Sequence, residues 1–454
     1  LVPRTAANHE NGRQNPESSA SDWQTGNKYG IAIINPIVSE SKGGQLRPLF
    51  ALLEAESRSK FTVLRYFIPI FDGEAKDWAV EARILRWLTL VWLCIGLIIL
   101  FSASYAVAAN PNNGDTNGDG WYYVKRQLIW LWVGSLGFNF IARSPIRLLL
   151  KIAPWLLLLC FSLIFITAIG LGAEVNGATR WIKLGPILIQ PSEFMKPCLV
   201  LQSAWLFGEW ERLPWKVRLT WLGIFAATLA GILLQPNLST TALCGMTLWL
   251  IALASGLPFS YLGGTAITGV LTAFVSISIN EYQRERIVSF MNPWADARDS
   301  GYQLVQSLLA IGSGGALGAG FGLSQQKLFY LPFQDTDFIF AVFAEEFGLI
   351  GGIVLLLLLV SYATVAVIVA MKCRHRVKRL VAIGAMIVLV GQALLNIGVA
   401  TGALPTTGLP LPLFSYGGSS SLASLILAGL LIRVARESNE AVVVPLAQRF
   451  NSVQ

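Results

Sequence analysis

Between Gln334 and Phe340 the chain reads Gln-Asp-Thr-Asp-Phe-Ile-Phe, and it then carries Glu345 and Glu346 into a continuous apolar run. Carboxylates at the mouth and inside of a membrane helix are costly, so those that persist ask for a functional explanation. On a helix rising about 1.5 Å per residue, Glu345 is expected about 12 Å below Asp337 and about 80° around from it, giving an acidic stripe that can face a cavity. Glu346 turns a further 100° or so and should do a different job. The competing reading is local: Thr336 or Asp335 caps the helix and Asp337 complements its dipole from the first turn. The aromatic flank, Lys327 nearby and the deeper acids favour the functional reading.

Three further constellations carry polar chemistry. Glu193 and Lys196, three apart in Gln190-Pro191-Ser192-Glu193-Phe194-Met195-Lys196, can pair on one helical face, either neutralising a membrane lysine or binding a ligand; Ser192 suits an N-cap. Arg180 beside Trp181 can be an interfacial anchor or a fork for phosphate. The segment from Leu404 to Ser420 holds Pro405, Pro410 and Pro412 among apolar residues, which precludes a regular helix and suggests a buried, broken segment lining a cavity. The run Gly312 to Gly322 lacks the Gly-Lys-Ser/Thr of a nucleotide loop and reads as close packing of small residues inside the membrane. Only His9 and His375 exist, which argues against histidine catalysis or haem ligation.

The elements that position these residues follow from composition. Of 454 residues, 54% are hydrophobic and 13% charged, so the chain is expected to be an all-α, polytopic membrane protein. Windows of about 20 apolar residues predict ten transmembrane helices, centred near 97, 133, 160, 201, 227, 247, 270, 355, 390 and 426. Arg143 and Arg147, then Arg212, Lys216 and Arg218, then Lys372 to Arg379, then Arg433 and Arg436 fall in alternate loops, placing those loops and both termini in the cytoplasm. The net charge of +8 is therefore topological, and no nucleic acid is expected. The outer side receives Asp115 and Asp119, the segment 176–193, a large loop from about Glu281 to Thr336 between helices 7 and 8, and the Pro-rich turn. Residues 1–80 read as a polar, disordered cytoplasmic tail with an interfacial stretch from Phe61 to Arg86, 81–436 as the membrane domain and 437–454 as a second cytoplasmic tail. No secretory signal is visible, and Leu1 in place of Met suggests a processed or appended end. Cys94, Cys160, Cys198, Cys244 and Cys373 form no close-spaced pair and read as small core residues. No strong internal repeat is visible, unlike many secondary transporters.

Taken together, Gly177-Ala178-x-Arg180-Trp181, Gln190-Pro191-Ser192-Glu193-x-x-Lys196, Gly301-Tyr302-Gln303, Lys327, Thr336-Asp337-Phe338-Ile339-Phe340, Glu345-Glu346-x-Gly348 and Pro405-x-x-Gly408-Leu409-x-Leu411-Pro412-x-x-Ser415-Tyr416-Gly417-Gly418-Ser419-Ser420 resemble the SEDS family (shape, elongation, division and sporulation). The resemblance runs from about Arg86 to Arg436. One departure is Gln235-Pro236-Asn237-Leu238-Ser239, where the family usually has Asp and Gly at the positions of Asn237 and Ser239.

This resemblance implies a peptidoglycan glycosyltransferase that polymerises lipid II, a disaccharide-pentapeptide on undecaprenyl pyrophosphate, in the plasma membrane of a bacterial-type cell. It implies Asp337 as catalytic base or as the carboxylate of a divalent cation, Mg²⁺ or Mn²⁺. Arg180, Lys196 and Lys327 become the expected cations for pyrophosphate or sugar. Gln190, Glu193, Gln303, Glu345, Glu346, Ser415, Tyr416 and Ser419 complete the expected substrate-binding set. The long N-terminal tail and overall pattern favour a division-type enzyme at the septum, working with a class B penicillin-binding protein and other divisome proteins. An elongation-type polymerase, a lipid II flippase and a non-catalytic scaffold are the alternatives.

Overall fold

The computed structural model describes residues 78–440 except 113, 115, 176, 177 and 186. The expected tail and most of its interfacial stretch, the end of the second tail, and Asp115, Asn176 and Gly177 lie outside the described residues. All ten predicted centres fall inside helices. These are α1 (Val80–Ala108), α2 (Tyr122–Arg143), α3 (Ile146–Ile166), α4 (Pro191–Gly208), α5 (Trp215–Leu234), α6 (Leu238–Ala254) and α7 (Phe259–Ile279). After α8 (Glu281–Met291) and α9 (Tyr302–Gly314) come α10 (Ile339–Lys372), α11 (Arg376–Met386) running through a π-turn into α12 (Gln392–Ala400), and α13 (Gly418–Glu440).

Seven of these stretches are long and apolar enough to cross a membrane, so the protein is a multi-pass membrane protein. Helices α2, α4 and α6 fall outside that count for physical reasons. Lys125, Arg126 and Arg143 lower the apolarity of α2, Glu193, Lys196 and Gln202 lower that of α4, and α6 is only 17 residues long. Helix α4 sits at the centre, packed against α3, α11 and α13. Burial on nearly every side lets it carry Glu193 and Lys196, because each meets protein and not lipid. Helix α7, by contrast, buries only Leu262.

The basic residues assigned to the cytoplasm gather at one end of the bundle. Glu81 pairs with Lys372 across α1 and α10. Glu437 takes Lys378 and Arg433 at 2.7 Å each, and Arg436 lies 4.4 Å from the Trp78 ring. Helix α13 thus runs to Glu440, past the boundary expected at 436.

Two features matter for the opposite end. The segment after α3 folds as a small antiparallel sheet, β1 (Ala173–Val175), β2 (Ala178–Leu184) and β3 (Ile187–Ile189), so the chain is not strictly all-α. Ile182 faces Ile189 and Leu184 faces Ile187 around Gly185, whose φ of 60° makes the tight turn. The second feature is the loop between α7 and α10, whose earlier part carries the helices α8 and α9 and whose residues 315–338 are turns and irregular chain.

Candidate active site at the Asp337 loop

The carboxylate stripe is arranged differently from the helical expectation. Helix α10 starts at Ile339 with Phe338 at its N-cap, and no side chain caps it. Neither Asp335 nor Thr336 is a cap, and Asp337 precedes the helix. The 12 Å and 80° relation to Glu345 therefore does not hold. Residues 331–338 are turns, with Phe333 at φ 55°, a strained value for a bulky side chain.

Three donors hold this loop. Tyr416 N–H donates to the carbonyl of Asp335 at 2.8 Å, Ser415 Oγ to that of Thr336 at 2.5 Å, and Asn396 Nδ2 to that of Asp337 at 2.7 Å. Three successive carbonyls are taken by the Pro-rich segment and α12, which leaves the half-buried Asp337 side chain to be presented. Ser415 Oγ also accepts from Leu411 N–H at 2.8 Å. The broken segment expected from the prolines is thus a clamp, with Leu409, Leu411, Leu413 and Phe414 buried.

The charges acting on Asp337 come from Arg286, Asp335 and Arg180. Burial pushes the Asp337 carboxyl up to about 6, Asp335 adds to this, and the two guanidiniums oppose it. A Cβ at Gly408 would lie 3.5 Å from Asp337 Oδ2 and 3.8 Å from Arg286 Nη1, so Gly408 keeps the space between acid and cation open. Arg286 donates to the Thr406 carbonyl at 3.2 Å and stands 4.5 Å from the Tyr282 ring. Arg180, aimed by β2, donates to the carbonyls of Gln235 at 2.9 Å and Pro236 at 2.8 Å. Gln235 Nε2 is itself tied to the Ile164 carbonyl at 2.9 Å, so the turn after α5 is a fixed support. Asn237, at the family departure, caps α6 by accepting from Thr240 N–H at 3.2 Å. A cleft of about 320 Å³ opens beside the loop between Ser104, Tyr123, Phe329 and Asp335.

The other expected cations are engaged inside the bundle. Lys196 Nζ donates to Glu193 Oε1 at 2.6 Å and to Gln392 Oε1 at 2.9 Å. Lys327 Nζ donates to Glu346 Oε1 and to Ser102 Oγ, each at 2.7 Å. Both lysines are at most 5% exposed, and an ammonium so buried is tolerable only when paired. Glu345 accepts from Ser324 Oγ at 2.5 Å and from Gln325 N–H at 2.9 Å, binding the turn after the glycine run to α10. Ser192 lies in the first turn of α4, behind Gln190 as N-cap, so it is not the cap. Gln190 N–H reaches Ser419 Oγ at 3.0 Å, and Gln303 lies half-buried in the first turn of α9.

The glycine run packs as its composition suggests. Ala319 and Gly320 N–H donate to the carbonyls of Glu345 at 2.9 Å and Glu346 at 3.0 Å, and Leu349 N–H donates back to Gly315 at 2.9 Å. These exchanges occur where α10 breaks at Gly348, φ 63°.

Sequence reasoning passed over Arg286, Gln392 and Asn396. The two amides are one helical turn apart, which puts them on one face. That face holds the Pro-rich segment, through Gln392 Nε2 to the Pro410 carbonyl at 2.7 Å and Asn396 Nδ2 to that of Leu409 at 2.8 Å. Two amides spaced i, i+4 in an apolar helix were the available signal. Arg286 was one of several charges on α8 and had none.

A multi-helix membrane bundle with a clamped acidic loop and two arginines at one end defines a class of polytopic membrane protein. The family model of the FtsW/RodA/SpoVE cell cycle proteins matches residues 82–440, and the chain belongs to that family. It is 64% identical over 387 residues, 85% of this chain and 97% of the relative, to the probable peptidoglycan glycosyltransferase FtsW of Synechocystis. It is 37% identical to stage V sporulation protein E of Bacillus subtilis, over 77% of this chain and 96% of that one. Among solved structures it resembles a chain from a peptidoglycan synthase complex that coordinates polymerization and crosslinking (TM-score 0.65, 29% identity, 80% of this chain and 98% of the other). It also resembles the rod shape determining protein RodA of Thermus thermophilus (TM-score 0.56, 28% identity, 78% and 96%).

Proposed function

We propose that this protein is a division-type peptidoglycan glycosyltransferase that polymerises lipid II at the outer face of the membrane, with Asp337 as its catalytic carboxylate. The observation that carries the reading is the loop itself. Its backbone is held at three consecutive carbonyls, while the Asp337 carboxyl stays within the electrostatic reach of Arg286 and Arg180. Identity of 64% to a relative named as the division-type enzyme supports that branch over the elongation type.

In this reading the acceptor 4-hydroxyl gives its proton to Asp337 as its oxygen attacks the anomeric carbon of the donor. The bond from that carbon to pyrophosphate breaks with inversion, and the electron pair leaves on the phosphate oxygen. Pyrophosphate is already a good leaving group, so a base and cations matter more than a general acid. Arg180 and Arg286 face the Asp337 carboxylate and are the cations assigned to pyrophosphate, while Lys196 and Lys327 hold the walls through their pairs. Asp337 with the neighbouring Asp335 also suits one divalent cation, since burial beside a like charge is relieved by a positive ion and Mg²⁺ accepts one or two carboxylates plus phosphate oxygens and water. Such an ion would lower the pKa of the acceptor hydroxyl and screen the leaving group. The expected partners are a class B penicillin-binding protein and other divisome proteins at the septum.

The test is polymerisation of labelled lipid II by the purified protein with its penicillin-binding partner. Asp337→Asn should abolish glycan synthesis while folding and partner binding persist. Synthesis at the normal rate would overturn the base assignment, and lipid II transport across vesicles without synthesis would favour a flippase.

A further inference from the structure

A second cavity, of about 390 Å³, lies at the basic end of the bundle, remote in sequence from the Asp337 loop. It is bounded by the link from α4 to α5, the turn from α6 to α7 and the start of α11, with Trp210, Glu211, Arg218, Pro258, Tyr261 and Arg376 in its wall. Arg218 is half-buried and has no carboxylate partner among the described residues. Its Nε donates to the Leu213 carbonyl at 2.9 Å and its Nη2 to that of Glu211 at 3.3 Å, and its guanidinium stands 5.0 Å from the Trp210 ring. These contacts fix the planar group, and Nη1 has no partner among the described residues while Arg218 stands in the cavity wall. Arg376 is 62% exposed and only loosely held, 3.9 Å from Glu211. Tyr261 in the wall is 62% exposed, and near wall residues along the chain Phe259 (81%) and Trp215 (65%) are exposed too, as suits side chains at a membrane-water interface.

We propose that this cleft binds the phosphodiester headgroup of an anionic phospholipid from the leaflet on the basic side. With Arg218 Nε and Nη2 held on backbone carbonyls, its Nη1 and the loosely held Arg376 are the donors left for phosphate oxygens. The cavity opens at the root of α7, whose side chains are almost all unburied by protein, so acyl chains can lie along that helix while the headgroup stays in the cleft. A soluble anion would gain the charge contact alone. A lipid gains in addition from the exposed Tyr261 in the wall and Phe259 at the start of α7, and from a leaflet that attracts cations.

Native mass spectrometry of the full chain, released from nanodiscs holding equal phosphatidylglycerol and phosphatidylcholine, reads the proposal. The wild type should retain phosphatidylglycerol in preference. Arg218→Gln should lower that retention roughly five-fold, and Arg218→Gln with Arg376→Gln should lower it further, the loss expected for removing about one surface cation each. Arg374→Gln, exposed at the same end but outside the cleft wall, should leave it unchanged, and size-exclusion profiles should match throughout. Retention indifferent to headgroup charge, or equal in the double variant, overturns the site. Displacement of the lipid by millimolar inorganic phosphate alone also overturns it, since the cleft would then be a soluble-anion site.

Discussion

Asn396, buried in α12, joins the carbonyls of Asp337 and Leu409 through a single Nδ2, at 2.7 and 2.8 Å. One amide therefore ties the acidic loop to the Pro-rich segment. Replacing it with Leu leaves two carbonyls without that donor, at about 1–3 kcal/mol for each one that stays buried and unsatisfied. With Asp337 no longer fixed, kcat for lipid II polymerisation should fall at least about ten-fold while KM changes little. Steady-state kinetics on the folded variant checks this.

The pH profile should report Asp337. Its folded pKa, raised by burial to about 6, means that the base form is lost as pH falls through 6, so polymerisation should rise across that value and level off above it. The stability sign is opposite. A carboxyl whose folded pKa is raised favours folding while protonated, and that advantage disappears as pH climbs from the unfolded value near 4 through 6. Asp337→Asn should therefore stabilise the protein at pH 8, by about 1–2 kcal/mol after allowing for its partial exposure, and hardly at all at pH 4. Thermal unfolding at the two pH values tests it.

Arg286 should matter more than its place among α8 charges suggests. Arg286→Gln removes a cation that acts on Asp337 and should lower kcat by about 100-fold, the scale of losing one preorganised donor. Arg286→Lys, which keeps charge without the fork, should recover part of it. Arg284→Gln, on the exposed Glu281 pair at 3.2 Å, is the control and should be near neutral.

The pair of Lys327 and Glu346 should behave as a buried unit. Lys327→Met leaves an uncompensated carboxylate and should cost about 3–5 kcal/mol, whereas Lys327→Met with Glu346→Gln should regain most of it. A double-mutant cycle from thermal unfolding measures the coupling.

Two glycines of the same run should respond with opposite signs. At Gly318, φ is 84° and an added Cβ would run into the Glu346 carbonyl, so Gly318→Ala should destabilise by more than about 1 kcal/mol. At Gly312 in α9 nothing lies near an added Cβ, and Ala there should gain up to about 1 kcal/mol. Equal responses in unfolding experiments would contradict the packing role of the run.

Much of this protein was legible in its residues because membrane burial imposes a simple rule: apolar runs of sufficient length become helices. All ten helix centres were found that way, and the i, i+3 spacing of Glu193 and Lys196 gave their pair. The three-stranded sheet was missed because strands of three to seven residues in a polar-apolar loop leave little periodicity. Asp337 stood out in the sequence as an acid against an apolar background, but its place relative to Glu345 was not legible, because the start of a helix depends on what holds the chain before it.

The sequence by itself determined the helices, the basic end and the identity of the acid set against an apolar background, since these depend on local composition and on the cost of charge in lipid. Only the tertiary structure decided which cation meets which carboxylate. Beyond the local Glu193–Lys196 pair, Lys327 found its buried partner Glu346 19 positions away, and Arg286 came to stand across Gly408 from Asp337. Those pairings arise from contacts between residues far apart in the chain, where the low dielectric enforces partnership and chain distance carries no information about who the partner will be.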